Sequence, residues 1–111
     1  LNIENYHIFE NPNEESIQHI DCFAKLVNSE TVIIKQVSES SSEYECIEDF
    51  ANSFYELNTF YERPFNIYRV FCPEINGGEW ELNPVAAYTN SYILNEKIFV
   101  GIIIFIPSSL L

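Results

Sequence analysis

Apolar residues recur along this chain with two different periods, and the changes of period mark out its elements. Asn11-Pro12-Asn13-Glu14 has the form of a helix start, with Asn11 as N-cap, Pro12 at the first helical position and Glu14 able to return a capping-box bond. Behind it, Ile17, Ile20, Phe23, Ala24 and Val27 fall at helical spacing and predict an amphipathic helix of about three turns. Thr31 to Val37 is short and β-branched, which predicts a strand, and the serine-rich stretch Ser38 to Ser42 predicts a loop. The strongest helical period follows: Ile47, Phe50, Ala51, Phe54, Leu57 and Tyr61 predict a helix from Glu43 to about Glu62. Arg63-Pro64 ends it, because the residue before a proline is pushed out of the helical region, and Ile67 to Phe71 predicts a further strand.

Beyond a turn at Asn76-Gly77-Gly78 the period becomes that of β structure. Val85 to Thr89 predicts one strand, Asn90-Ser91 a polar link, and Lys97 to Ile106, closed by Pro107, a second. The run Ile98 to Ile106 is the most hydrophobic in the chain, yet a helix that crosses a bilayer needs about 20 such residues. Two readings stand for it: a buried core strand, or an exposed strand that pairs with another chain or with further sequence. The predicted class is α+β, with two or three amphipathic helices and a few short strands ending in a C-terminal β-hairpin-like pair. Residues 1–111 form a single small domain or fragment, mainly helical over 1–77 and strand-rich over 78–107.

Composition narrows the partners. Seventeen acidic residues against five basic ones give a net charge of −12, which repels phosphate backbones and anionic lipid and excludes nucleic-acid binding. Seven acids and no base lie between Lys35 and Arg63, so this helix offers either a solvated face or a docking surface for a basic partner. Cys22, Cys46 and Cys72 are too widely spaced for a zinc ribbon or redox pair, which leaves idle buried thiols or one disulfide with a leftover. The opening Leu1-Asn2-Ile3-Glu4-Asn5 lacks the basic start and apolar core of a signal peptide, and the chain reads as an incomplete or processed product.

Local pattern offers no catalytic machinery. The two histidines, His7 and His19, stand apart and outside any H-E-x-x-H pattern, so each reads as a surface or capping residue. Cys46 lies beside Glu45 and Glu48, whose charge disfavours a thiolate. Nucleophile-elbow, phosphate-loop and dinucleotide motifs are all missing.

From Gly78 onward, Glu79-Trp80, Pro84, Ala86-Ala87-Tyr88, Asn90, Asn95-Glu96, Ile98-Phe99 and Gly101-Ile102-Ile103 resemble, in order, the M13 zinc metallopeptidases, the neprilysin and endothelin-converting-enzyme group. The resemblance covers Gly78 to Pro107 and implies that Ala86, Ala87 and Tyr88 bind an extended peptide substrate by β-augmentation at the edge of a cleft. Ala86 stands where that family has Asn, and Phe99-Val100-Gly101 is one residue shorter than the family's segment. No catalytic or metal-binding residue of that family falls within the chain. Zinc, the cofactor of the full-length family, therefore has no site here.

The resemblance thus implies a piece of an M13 zinc metalloendopeptidase that is inactive alone and whose partners are a peptide strand or the remainder of a peptidase domain. It further implies an extracellular or membrane-anchored ectodomain. The alternative is a small acidic interaction domain that docks on a basic partner through the Glu39 to Glu62 face.

Overall fold

The computed structural model describes residues 6–12, 19–74, 88–95 and 97–101. A short 3-10 turn, Ile20–Cys22, leads into β1 (Ala24–Asn28), β2 (Thr31–Gln36), α1 (Tyr44–Tyr55) and β3 (Asn66–Phe71); β4 (Ser91–Leu94) and β5 (Lys97–Val100) follow. The class is α+β, as the pattern of apolar residues predicts, with one α-helix among the described residues.

β1, β2 and β3 form one sheet in that order, with β1 antiparallel to β2 and β2 parallel to β3. Parallel neighbours require a long crossover, and α1 provides it. By register, Val32 and Ile34 of β2 share a face with Ile67 and Arg69 of β3 and with Ala24 of β1. On that face the core gathers Phe23, Ala24, Val32, Ile34, Ile47, Phe50 and Ala51, with Phe9, Phe54, Phe65 and Ile67 packed around it. Phe50 lies at its centre, 5.3 Å from Phe9, 5.2 Å from Phe23 and 5.3 Å from Phe54, between ring centroids.

The helix expected behind Asn11 is not what the described residues form. Residues 13–18 lie outside them, and Ala24 to Asn28, the last part of that period, is strand β1. The spacing of Ile20, Phe23, Ala24 and Val27 suits either period over so short a stretch. Pairing with β2, in which Lys35 N–H donates to Phe23 C=O at 2.8 Å, satisfies the main chain better than an isolated helical turn.

α1 begins where predicted but ends at Tyr55 rather than near Glu62. Leu57 and Tyr61 continue the helical spacing, yet Asn58 bridges to Pro64, Thr59 N–H donates to Arg63 C=O at 2.7 Å, and Glu62 takes φ 58. That tight loop returns the chain so that β3 starts beside Thr31.

β4 and β5 form an antiparallel hairpin in which Tyr92 faces Phe99 and Ile93 faces Ile98. The C-terminal pair therefore exists, with its first strand at Ser91–Leu94; of the strand predicted from Val85 to Thr89, Tyr88-Thr89 is a turn and residues 85–87 lie outside the described residues. Ile98 and Phe99 are 38% and 54% exposed, which does not fit the first of the two readings of this run, a buried core strand. Residues 102–107 and the predicted turn at Asn76-Gly77-Gly78 lie outside the described residues.

Candidate functional site

Three stretches far apart in sequence meet beside the N-terminal end of β1. The first is the 3-10 turn, closed by Cys22 N–H to His19 C=O at 3.0 Å and Phe23 N–H to Ile20 C=O at 3.1 Å. His19 occupies the cap position with extended backbone, and its side chain is exposed and makes no capping bond. Asp21 follows two residues later and is half-buried.

The second stretch is Tyr88 to Ser91. Thr89 is 1% exposed, and its hydroxyl donates to the main-chain oxygen of Asp21 at 3.0 Å across 68 residues of sequence. Ser91 Oγ donates to Thr89 C=O at 3.2 Å, and Lys25 Nζ donates to the main-chain oxygen of Ser91. The third is Cys72, just past β3, whose N–H donates to Gln36 C=O at 2.7 Å. Burial pushes the Cys72 thiol above its ordinary value, an effect offset in part by main-chain hydrogen bonding from Tyr88 and by the Lys35 charge. Its Sγ lies 3.4 Å from Val70 C=O, to which it donates. A thiol held neutral in this way is a packing group rather than a nucleophile.

Three of the cations are engaged elsewhere. Lys35 pairs with Glu43 at 2.7 Å, Arg69 with Glu48 at 2.6 Å and Arg63 with Glu30 at 2.5 Å. Among the described residues no basic side chain pairs with Asp21, whose carboxylate can therefore accept a cation brought by a ligand. Cys22, Cys46 and Cys72 form no disulfide. Among the described residues no group of three His, Cys, Asp or Glu side chains gathers to hold a metal.

A separate open cleft of about 310 Å³ lies between the N-terminal segment and α1 and is lined by Phe9, Cys46, Asp49 and Phe50 among others. His19, Asp21 and Thr89 are not among its walls.

The family model for the Porphyromonas-type peptidyl-arginine deiminases matches residues 2–103. The chain belongs to that family. Its fold is similar to that of a Porphyromonas gingivalis protein provisionally designated an arginine deiminase, with TM-score 0.57 and 21% identity over 70% of this chain and 23% of that one. A protein provisionally designated a peptidyl-arginine deiminase gives TM-score 0.59 and 15% identity over 67% of this chain and 22% of that one. The agmatine deiminase of Enterococcus faecalis gives TM-score 0.54 and 19% identity over 70% and 26%. The deiminase-family chain thus spans about a quarter of the length of these solved proteins.

Family membership overturns the M13 resemblance and, with it, the metallopeptidase function that it implied. The resemblance rested on aromatic and β-branched residues in a plausible order, which any short apolar hairpin supplies. Asn95, matched to the start of an M13 strand, takes φ 50 in the turn between β4 and β5. Of the residues it assigned to peptide binding, Ala86 and Ala87 lie outside the described residues. Tyr88 sits half-buried against the Val37 and Cys72 cluster.

The alternative, an acidic docking face from Glu39 to Glu62, is not supported either. Glu43 is buried on Lys35 and Glu48 is bound by Arg69, so two of its carboxylates hold the fold together instead of facing a partner.

Local pattern missed His19 and Asp21 because a His and an Asp two residues apart are common in any chain. What singles them out, the long-range bond from Thr89, is not visible before folding.

Among the described residues no helix is long and apolar enough to cross a membrane.

Proposed function

We propose that this chain is part of a guanidine-deiminating domain and that His19 and Asp21 stand on its substrate side. Deimination is a hydrolysis: the guanidinium carbon exchanges a C=N bond for C=O, one water is consumed and ammonium leaves. Such a reaction requires a carboxylate to hold the planar cation, a nucleophile for its central carbon and an acid for the departing nitrogen.

Asp21 supplies the first requirement, since an ionised carboxylate accepts paired N–H bonds from a guanidinium. The exposed imidazole of His19 is suited to the third, because a histidine ring can both donate and accept a proton. The nucleophile is not assigned within this chain, and the neutral, buried Cys72 thiol is unsuited to the task. The observation that carries the proposal is the pairing of an exposed His and a cation-free Asp on one braced turn, inside a chain of the deiminase family.

The test is an NMR titration of the isotopically labelled chain with N-acetyl-arginine amide, using N-acetyl-lysine amide as control. The arginine probe is expected to move the His19 ring signals and the Asp21 and Cys22 amides, and the lysine probe to leave them in place. Asp21→Asn should weaken binding by about 1.5–3 kcal/mol, or roughly tenfold or more. Equal responses to both probes, or shifts confined to other parts of the chain, would remove the basis for the proposal.

A further inference from the structure

We infer that Thr89 is a positioning residue for the His19–Asp21 turn. The inference rests on the guanidinium-binding role proposed for that turn and adds the element that sets its geometry. A 3-10 turn of three residues has poor intrinsic stability, because its hydrogen bonds are few and strained. Left alone, it would sample many orientations of the Asp21 carboxylate. The Thr89 hydroxyl removes that freedom at the peptide joining Asp21 to Cys22, by donating to the Asp21 carbonyl from a site that is 1% exposed. Holding this peptide plane restricts rotation about the Asp21 Cα–C bond, and hence narrows the directions in which the carboxylate leaves the chain. The Cys22 N–H, on the same plane, holds the His19 carbonyl, so the same bond also orients the cap residue.

Thr89 can act as a brace because its own backbone is held on both sides. Lys25 Nζ grips the Ser91 carbonyl, and main-chain hydrogen bonding from Tyr88 meets the Cys72 thiol. The bracing segment is thus anchored to β1 and to the end of β3, the framework that carries the turn. A hydroxyl at this point serves where a methyl cannot, since a partly buried carbonyl without a donor is costly and would rotate to find another.

The test compares Thr89→Val, which keeps the shape and removes the donor, with Thr89→Ser, which keeps the donor. Three quantities are read: amide exchange, the affinity for N-acetyl-arginine amide and the pH dependence of the His19 ring signals. In Thr89→Val, exchange at the Cys22 and Phe23 amides should quicken and probe affinity should fall, each roughly two- to tenfold. The Ile47 amide, bonded to Glu43 within the helix, should keep its wild-type rate. The His19 pH profile should change in the same variant, and Thr89→Ser should restore all three.

Wild-type affinity and an unchanged His19 profile in Thr89→Val would overturn the positioning role while leaving the guanidinium proposal standing. Failure of the wild-type chain to respond to the probe would overturn both. If Thr89→Val does not fold, Lys25→Met loosens the same brace from its other end. Faster Cys22 exchange and weaker probe binding with an intact sheet would then support the inference, and wild-type values would overturn it.

Discussion

Lys35 and Glu43 form an ion pair at 2.7 Å with side chains only 1% and 5% exposed, tying the end of β2 to the residue that precedes α1. The pair explains why α1 starts without a side-chain cap: the Glu43 carboxylate is committed to Lys35 rather than to the first-turn amides. Removing one partner leaves the other charge buried. Lys35→Met is expected to cost about 3–5 kcal/mol in urea unfolding, and Lys35→Met combined with Glu43→Leu should recover most of that loss. A double variant no better than the single one would show that the pair's geometry, rather than the stranded charge, sets the cost.

The aromatic centre of the core yields a second expectation. Phe50 is buried between Phe9, Phe23 and Phe54, whereas Phe60 is 76% exposed on the loop after α1. Phe50→Ala should destabilise the chain by about 3–5 kcal/mol. Phe60→Ala should stay within about 0.5 kcal/mol of wild type. Matched chemical-denaturation curves for the two variants measure the contrast, and similar losses would argue against the described core.

Those two phenylalanines also mark how far the sequence could be read. Phe50 lies on a run of apolar residues at intervals of three and four, which local spacing reveals. The β-branched Thr31 to Gln36, the serine loop and Ile67 to Phe71 are likewise legible, because short-range preference and tertiary pairing agree there. Phe60 follows the same helical run, but the helix has already stopped, since β3 must return to pair with β2. Ala24 to Asn28 fails for a related reason: its apolar spacing is ambiguous, and the partner strand decides. The candidate site was not legible at all. The turn that carries His19 and Asp21 is braced only when Thr89 reaches Asp21 across 68 residues, a contact without local signal.

Cys72 gives a pH dependence whose sign follows from its burial. Its thiol is raised above the ordinary value of 9.0, so the folded chain holds this proton more tightly than the unfolded chain. The stabilisation is therefore full below the ordinary value and is lost as pH rises from there through the folded value. Thermal melts between pH 8 and pH 11 should show an alkaline decline that is smaller in Cys72→Ala, compared with that variant's own neutral-pH melt. At neutral pH the exposed Cys46 should react with a maleimide well before Cys72, which mass spectrometry of the alkylated chain can resolve.

The assignment of residues 24–28 to a strand can be checked amide by amide. Lys35 N–H donates to Phe23 C=O, so Phe23 and Lys35 face each other as a hydrogen-bonded pair. In an antiparallel ladder such pairs alternate, so Lys25 opposite Ile33 is also hydrogen-bonded and Ala24 opposite Ile34 is not. The Lys25 amide therefore points toward β2, while the Ala24 and Leu26 amides point away from it. Hydrogen exchange read by NMR should give slow exchange at Lys25 and faster exchange at both neighbours. A helix through the same residues would protect consecutive amides, each bonded to the carbonyl four residues earlier. Uniform protection from Ala24 to Val27 would thus restore the helix that the apolar spacing first suggests, and would unseat the 3-10 turn on which His19 and Asp21 are presented.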